Sequence, residues 1–176
     1  MLLERFGKSM FKVGESDSGR KLKCTLEEYI EYTLYNRDDS PLYLFESSLE
    51  DHPQAKVMMK DYKVCKFFER DLFADFLGDD KAPPHRWFLI GPQRSGSEVH
   101  QDPLGTSAWN CSLSGHKRWI LIPPEAHLDK KFVRGKHLER KEEDDEAIQY
   151  FDLILPRLKE AEGPKGSGKI KYIEGV

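Results

Sequence analysis

Two strand-like runs separated by a two-residue turn constrain the fold of this chain most. Residues 107–113 (SAWNCSL) and 116–122 (HKRWILI) flank Ser114-Gly115, where glycine supplies the positive φ that a tight hairpin requires. The sequence therefore predicts a β-hairpin in which Leu113 faces His116. In that register, one side of the hairpin carries Asn110, Ser112, Lys117 and Trp119.

Lys117 has two interpretations in this hairpin. A lysine inside a sheet is unfavourable unless its charge meets an anion. If this side faces the interior, Lys117 can pair with a carboxylate of a small diacid, with Asn110 as a neutral hydrogen-bond donor beside it. If this side faces solvent, Lys117 is an ordinary surface lysine.

A histidine and an aspartate lie two positions apart just before the hairpin, in the run His100-Gln101-Asp102. On an extended segment, both side chains leave the same face. Two histidines and one carboxylate form the triad that holds non-haem Fe(II), so this pair supplies two of the three ligands. The spacing by itself recurs by chance and is more typical of an ordinary surface or hydrogen-bonded pair.

The sequence around these residues resembles the Jumonji C (JmjC) oxygenases. The resemblance is carried by HQDPLGTSAWN (residues 100–110), which is followed by GHKRWILIP (115–123). Four further segments are similar in the same order, so the resemblance spans about residues 11–157. They are DDSPLYLFESS (38–48), DYKVCKFFERDLF (61–73), PPHRWFLIGPQRSG (83–96) and DEAIQYFDLILPR (145–157).

The resemblance implies an all-β core with added helices, in the form of a double-stranded β-helix, a jelly roll of the cupin type. It also implies an enzyme that uses Fe(II), 2-oxoglutarate and O2. His100 and Asp102 correspond to iron ligands, and Lys117 to the residue that takes the distal carboxylate of 2-oxoglutarate. Asn110 and Tyr43 are similar to co-substrate contacts, and Ser97 stands where the family often has a threonine near the site.

The activity implied by the resemblance is oxidation of a protein side chain. Lysyl hydroxylation and demethylation of methylated arginine are both compatible with it, and the sequence does not choose between them. The expected substrates are histones or splicing-related proteins, with RNA as a further possible partner, and the expected location is the nucleus. A non-catalytic Jumonji-fold module that binds protein or RNA is the alternative.

One part of the family pattern is missing, because no glycine- and tryptophan-rich segment with a late histidine occurs here. The expected third iron ligand is therefore absent, since His116 alternates away from Lys117, and His127 and His137 stand in charged, surface-like surroundings. We expect a fragment with an incomplete jelly roll, neither a competent enzyme nor a well-closed fold by itself. The expected organisation is an N-terminal helical and strand segment over residues 1–82 and a partial jelly-roll core over residues 83–176.

Composition supports a folded protein without a membrane-spanning segment. The 176 residues are 38% hydrophobic and 34% charged with a formal net charge of -3, which argues against attraction of nucleic acid by overall charge. The three cysteines lack metal-binding spacing, and no apolar stretch approaches 18 residues, a length that a membrane helix needs. We therefore expect a soluble, intracellular protein.

Local patterns also predict several elements outside the hairpin. Thr25 to Glu28 reads as a capping box that opens a helix out to Tyr35. A second helix is expected from Glu146 to Leu155, where Pro156 weakens its end. Short strands are expected at 11–13, 42–45 and 86–90, a short helix at 53–62 and a helical apolar stretch at 67–77.

Overall fold

The computed structural model describes residues 1–15, 18–78, 85–122, 140, 143, 146–162 and 171–175. The chain forms two compact units, Met1–Ser95 and Gly96–Val176. The first unit ends at Ser95, and the predicted boundary at residues 82/83 stays a prediction. Among the described residues, no helix is long and apolar enough to cross a membrane.

The first unit contains two small antiparallel sheets. Strand β1 (Met10–Glu15) pairs with β2 (Lys21–Thr25), and β3 (Leu44–Glu46) pairs with β4 (Phe88–Ile90). The three strands predicted in this region are thus present, with small shifts of their ends. The helices of this unit are α1 (Leu2–Phe6), α2 (Leu26–Tyr35), α3 (Leu72–Leu77) and the 3-10 turns Leu49–Asp51, Ala55–Lys60 and Lys66–Phe68.

The predicted capping box at the start of α2 is confirmed. The Glu28 backbone N–H donates to the Thr25 hydroxyl at 3.3 Å, and the Thr25 backbone N–H donates to the Glu28 carboxylate at 2.8 Å. These bonds satisfy two backbone donors at the ends of the first turn. The helix then places Leu26 and Tyr29, at 0% and 1% exposure, in the core of the first unit.

Tyr29 ties helix α2 to the second sheet of this unit. Its hydroxyl lies 2.9 Å from the Leu42 carbonyl and 2.8 Å from the Ile90 carbonyl, and it accepts the Leu44 backbone N–H at 3.0 Å. Burial raises the pKa of Tyr29 to about 12, so the phenol stays protonated and remains a donor. The Tyr29 hydroxyl therefore satisfies backbone groups of Leu42 and of strands β3 and β4.

His52 forms a second buried polar anchor in the same core. Its Nε2 lies 3.0 Å from the Met10 carbonyl, and its Nδ1 accepts the Gln54 and Ala55 backbone N–H groups at 3.2 and 2.9 Å. The carbonyl requires a proton on Nε2 and the two N–H groups require a bare Nδ1, so the ring is neutral in this arrangement. His52 is thus a structural residue stacked on Phe11.

The second unit overturns the predicted hairpin. Strand β5 (Lys117–Leu121) pairs with β6 (Lys171–Gly175), so that Trp119 faces Ile173 across the ladder. Residues 107–113 form no strand, although Gly115 has the positive φ of 79° that was expected of the turn. The prediction was wrong because a local turn signal does not prevent a strand that is distant in sequence from pairing with the same edge of β5.

A long helix precedes β6, and we call residues 147–162 helix α4. It consists of the turn Ala147–Gln149, a π-helical turn Tyr150–Ile154 and the α-helical end Leu155–Glu162. In the π-turn the Leu155 N–H donates to the Tyr150 carbonyl. The helix therefore passes Pro156, where the sequence predicted its end. Pro156 has no N–H for the Asp152 carbonyl, and widening the preceding turn by one residue accommodates this gap.

An ion pair connects α4 to the chain before it. Arg157 contacts Glu143 through two hydrogen bonds, of which the Nη2–Oε1 bond is 2.7 Å long. The Arg157 side chain and the Arg140 backbone N–H hold the pKa of Glu143 at about 2, well below its usual value of 4.5. A bidentate arginine–carboxylate pair is directional, so it orients as well as attracts.

The described residues contain six strands in three two-stranded sheets. They do not close into a jelly roll of eight strands. The core of the second unit is instead made by Tyr150, Ile154, Leu155 and Leu158 of α4, with Val99 and Ile120 packed against them.

Replacing Tyr29 by phenylalanine tests the contribution of its buried hydroxyl to stability. The change keeps the ring but removes the hydroxyl, so the Leu44 N–H and two carbonyls lose a buried partner, which costs about 1 to 3 kcal/mol of unfolding free energy. Chemical denaturation followed by circular dichroism measures this loss. The same change at Tyr35, which is 75% exposed on the same helix, should be nearly neutral. Equal effects at both positions would contradict the role given to Tyr29.

The Glu143–Arg157 pair predicts a pH dependence of stability. Because folding lowers the Glu143 pKa from 4.5 to about 2, its contribution is fully present above about pH 5 and disappears as the pH falls towards 2. Glu143→Gln should therefore lower the melting temperature at neutral pH, and the difference from the parent should vanish near pH 2. Glu160→Gln, at an exposed position of α4, serves as the control. A difference that persists unchanged at pH 2 would rule out the pair as its cause.

Candidate metal and co-substrate site

His100 and Asp102 meet on an irregular segment of the second unit. The His100 Nε2 lies 3.3 Å from the Asp102 Oδ1, and the two side chains are 50% and 19% exposed. The segment is a loop and not the predicted strand, and it ends in the 3-10 turn Pro103–Gly105. The predicted proximity of the two side chains is nevertheless present.

A backbone carbonyl orients the His100 ring. The Nδ1 atom lies 2.7 Å from the Glu98 carbonyl oxygen, which can only accept a hydrogen bond. Nδ1 therefore donates to this carbonyl, and Nε2 is the nitrogen that faces Asp102. Metal-binding histidines commonly use this arrangement, in which a carbonyl holds one nitrogen and the other binds the metal. The sequence spacing gave no sign of this contact.

The pair fits a divalent iron as two of three ligands. An imidazole nitrogen and a carboxylate oxygen on one side are the donor types of the facial triad. Within the part of the chain that the structure describes, no group of three histidine, cysteine or acidic side chains could hold a metal. His116 is exposed on the approach to β5, whereas His127 and His137 lie outside the described residues.

Lys117 is half-buried at the start of strand β5. Its Nζ lies 4.5 Å from the centre of the Trp119 ring, so both side chains stand on one face of the strand, as the sequence predicted. Burial lowers the pKa of the Lys117 ammonium, since a desolvated charge is unfavourable. The indole ring offsets part of this desolvation, and an anionic ligand would offset more. No ion pair of Lys117 with a described residue is present.

The remaining predicted contacts lie in different surroundings. Asn110 and Ser97 are exposed in the second unit. Tyr43 belongs to the first unit, where its ring lies against the Gly91 backbone and edge-on to Phe45. Burial raises the pKa of the Tyr43 phenol. Their assignment as co-substrate contacts stays a prediction.

A family comparison covers the part of the chain that holds most of this site. The model described as "JmjC domain, hydroxylase" matches residues 87–167. Residues 87–167 are thus similar to the JmjC family. The JmjC segment includes His100, Asp102, Asn110, Lys117 and Ser97, while Tyr43 lies before it.

Individual relatives agree with the family match. The chain is 44% identical over 174 residues to "Bifunctional arginine demethylase and lysyl-hydroxylase psr-1" of Caenorhabditis elegans, covering 99% of this chain and 43% of that protein. It is 40% identical over 123 residues to "Lysine-specific demethylase JMJ21" of Arabidopsis thaliana, covering 70% of this chain and 13% of that protein. It is 26% identical over 95 residues to "2-oxoglutarate and iron-dependent oxygenase JMJD4 homolog" of Drosophila melanogaster, covering 52% and 22%. The chain thus spans less than half the length of these relatives.

The desolvated charge of Lys117 should lower the free energy of unfolding. Lys117→Met keeps an unbranched side chain against Trp119 but removes the desolvated ammonium, so we expect a gain of about 0.5 to 1 kcal/mol in unfolding free energy. Lys63→Met, at an exposed lysine of the first unit, is the matched control and should show no such gain. Thermal denaturation without added ligand measures both changes. A loss of stability in Lys117→Met would show that the lysine already has a stabilising partner.

Proposed function

We propose that this chain forms part of an Fe(II)- and 2-oxoglutarate-dependent protein oxygenase. The observation that carries the proposal is the His100–Asp102 pair inside the JmjC segment, in which Nδ1 is bonded to the Glu98 carbonyl and Nε2 faces the carboxylate. The name of the Drosophila relative, a 2-oxoglutarate and iron-dependent oxygenase, supports the same cofactors.

In this proposal His100 and Asp102 hold the iron with a third ligand from outside the described residues. The bound metal would supply the chemistry by which O2 and 2-oxoglutarate oxidise a C–H bond. The chain itself contributes orientation, because the Glu98 carbonyl holds the imidazole ring through Nδ1. A fixed pair of donors spends less entropy on metal binding than two mobile side chains.

Lys117 would bind the distal carboxylate of 2-oxoglutarate. A half-buried ammonium that lacks an ion pair among the described residues is suited to a dianionic co-substrate, because the ligand neutralises a charge that is otherwise poorly solvated. We propose Asn110, Tyr43 and Ser97 as further contacts on the strength of the family resemblance. The fold proposed for the complete domain is the double-stranded β-helix.

The proposed substrate is a protein side chain, either lysine or methylated arginine. The Caenorhabditis relative is named for both activities and the Arabidopsis relative for lysine demethylation. Histones or splicing factors as substrates, RNA as a partner and a nuclear location are proposed from the family resemblance alone. Mass spectrometry of a treated peptide separates the two reactions, since hydroxylation adds an oxygen and demethylation removes a methyl group.

A non-catalytic binding module remains the second candidate because the described residues supply a pair of ligands and not a triad. The two candidates differ in whether 2-oxoglutarate is consumed. A module that only binds a partner has no use for a desolvated lysine in the unit that carries His100 and Asp102. The retained Lys117 therefore favours the enzyme.

Substitutions at the metal pair and at Lys117 should separate two kinds of defect. In the full-length protein that carries this chain, His100→Ala and Asp102→Ala should each abolish succinate formation and weaken metal binding, since each removes a ligand. Lys117→Met should raise the 2-oxoglutarate concentration required for half-maximal turnover by about tenfold or more, the equivalent of about 1.4 kcal/mol, with little change in metal affinity.

The control for this series is His116→Ala, which removes an exposed histidine next to Lys117. It should retain both metal binding and turnover. Unchanged succinate formation in His100→Ala or Asp102→Ala would remove these residues as ligands. Absence of turnover in the parent under iron and 2-oxoglutarate would favour the binding module.

A further inference from the structure

Helix α4 packs against both segments that carry the candidate site. Val99, which immediately precedes His100, and Ile120, on the strand of Lys117, are the partly buried neighbours of the α4 core. Within that core Ile154 and Leu158 are fully buried. A single helix therefore supports the loop of the metal pair and the strand of the lysine.

Strand β5 has two faces with different partners. Lys117 and Trp119 contact each other on one face. On the other face Arg118 lies over the ring of Phe151, 4.7 Å from its centre, and Ile120 joins the α4 core. Because successive side chains of a strand alternate, the helix contacts one face of β5 while Lys117 and Trp119 lie on the opposite face.

The loop of the metal pair is held in a similar way. A Cβ atom placed on Gly96 would lie 3.1 Å from the Ala147 Cβ at the start of α4, so the backbone there approaches the helix closely. Val99 then packs on the helix, while the neighbouring His100 is half exposed. The loop is thus attached to α4 on the side away from its exposed imidazole.

The π-turn determines which α4 residues reach these two segments. The Leu155 N–H bonds to the Tyr150 carbonyl, five residues back, which turns the helix less per residue than an α-helix does. Tyr150 and Phe151 lie within this widened turn, and Ile154 ends it. Single π-turns of this kind occur frequently at functional sites.

We propose that α4 is the positioning element of the site, with Phe151 as the positioning residue for Lys117 and Val99 as the one for His100 and Asp102. Neither Phe151 nor Val99 touches a metal or co-substrate. Val99 acts through its chain neighbour His100, and Phe151 acts through Arg118, the chain neighbour of Lys117. The inference rests on the proposed function, because it concerns the same metal pair and the same lysine.

The test separates metal affinity from 2-oxoglutarate affinity in the full-length protein. Mn(II) binding is measured by paramagnetic resonance, and 2-oxoglutarate binding to the Mn(II) form by calorimetry, so turnover is not required. Phe151→Ala should weaken 2-oxoglutarate binding on the order of tenfold with Mn(II) affinity unchanged, since misplacement of a binding group by about 1 Å is sufficient for this. Phe151→Tyr keeps the ring under Arg118 and should retain the parent's 2-oxoglutarate affinity.

Val99→Ala should show the opposite pattern, a loss of Mn(II) affinity that exceeds its effect on 2-oxoglutarate. A control is required because both changes also lower stability. Leu49→Ala truncates a buried residue of the first unit, and it should lower the melting temperature without changing either affinity. If Phe151→Ala does not fold, Phe151→Leu keeps the apolar volume but loses the ring and takes its place.

The outcomes distinguish the two proposals. A parent protein that binds neither Mn(II) nor 2-oxoglutarate overturns the proposed function. A parent that binds both, with a Phe151 variant of unchanged 2-oxoglutarate affinity, overturns only the positioning role. Equal losses of both affinities in Phe151→Ala, Val99→Ala and Leu49→Ala would attribute the effects to stability and also overturn it.

Discussion

The packing of Val99 and Ile120 on helix α4 is the contact on which the candidate site depends. The helix contributes Ile154 and Leu158, which have no exposed surface, and these residues bring together a loop and a strand that share no ladder. Loops normally lack the rigidity that a binding site requires, and here an apolar core behind the loop supplies it. The segments that carry the polar groups are therefore attached through their apolar neighbours Val99 and Ile120.

Lys117 and the metal pair illustrate two ways of preparing a polar group for a ligand. His100 is prepared by a hydrogen bond, since the Glu98 carbonyl holds Nδ1 and directs Nε2 towards Asp102. Lys117 is prepared by desolvation, since burial lowers its pKa and the Trp119 ring is the cation's neighbour. The first adds little strain, whereas the second opposes stability until an anion binds. Such opposition is expected where a fold retains a group for function.

The first unit joins short strands of only three to six residues. Tyr29 and His52 each satisfy backbone groups from separate segments within one apolar core. A hydroxyl or a neutral imidazole suits this purpose because it donates and accepts at the same time. Two-stranded sheets are marginal by themselves, so such buried polar anchors specify how they pack.

Local chemistry was sufficient to determine the capping box at Thr25, the adjacency of His100 and Asp102, and the shared face of Lys117 and Trp119. Each depends on residues within four positions, where side-chain direction follows from the backbone alone. The partner of β5, the passage of α4 through Pro156 and the carbonyl behind His100 were decided by tertiary structure. Strand β6 lies more than 45 residues beyond β5, and competition between distant strands for one edge is not encoded in a turn dipeptide. The sequence thus determined which side chains are candidates for the chemistry, and the packing of Val99 and Ile120 on α4 was decided by tertiary structure.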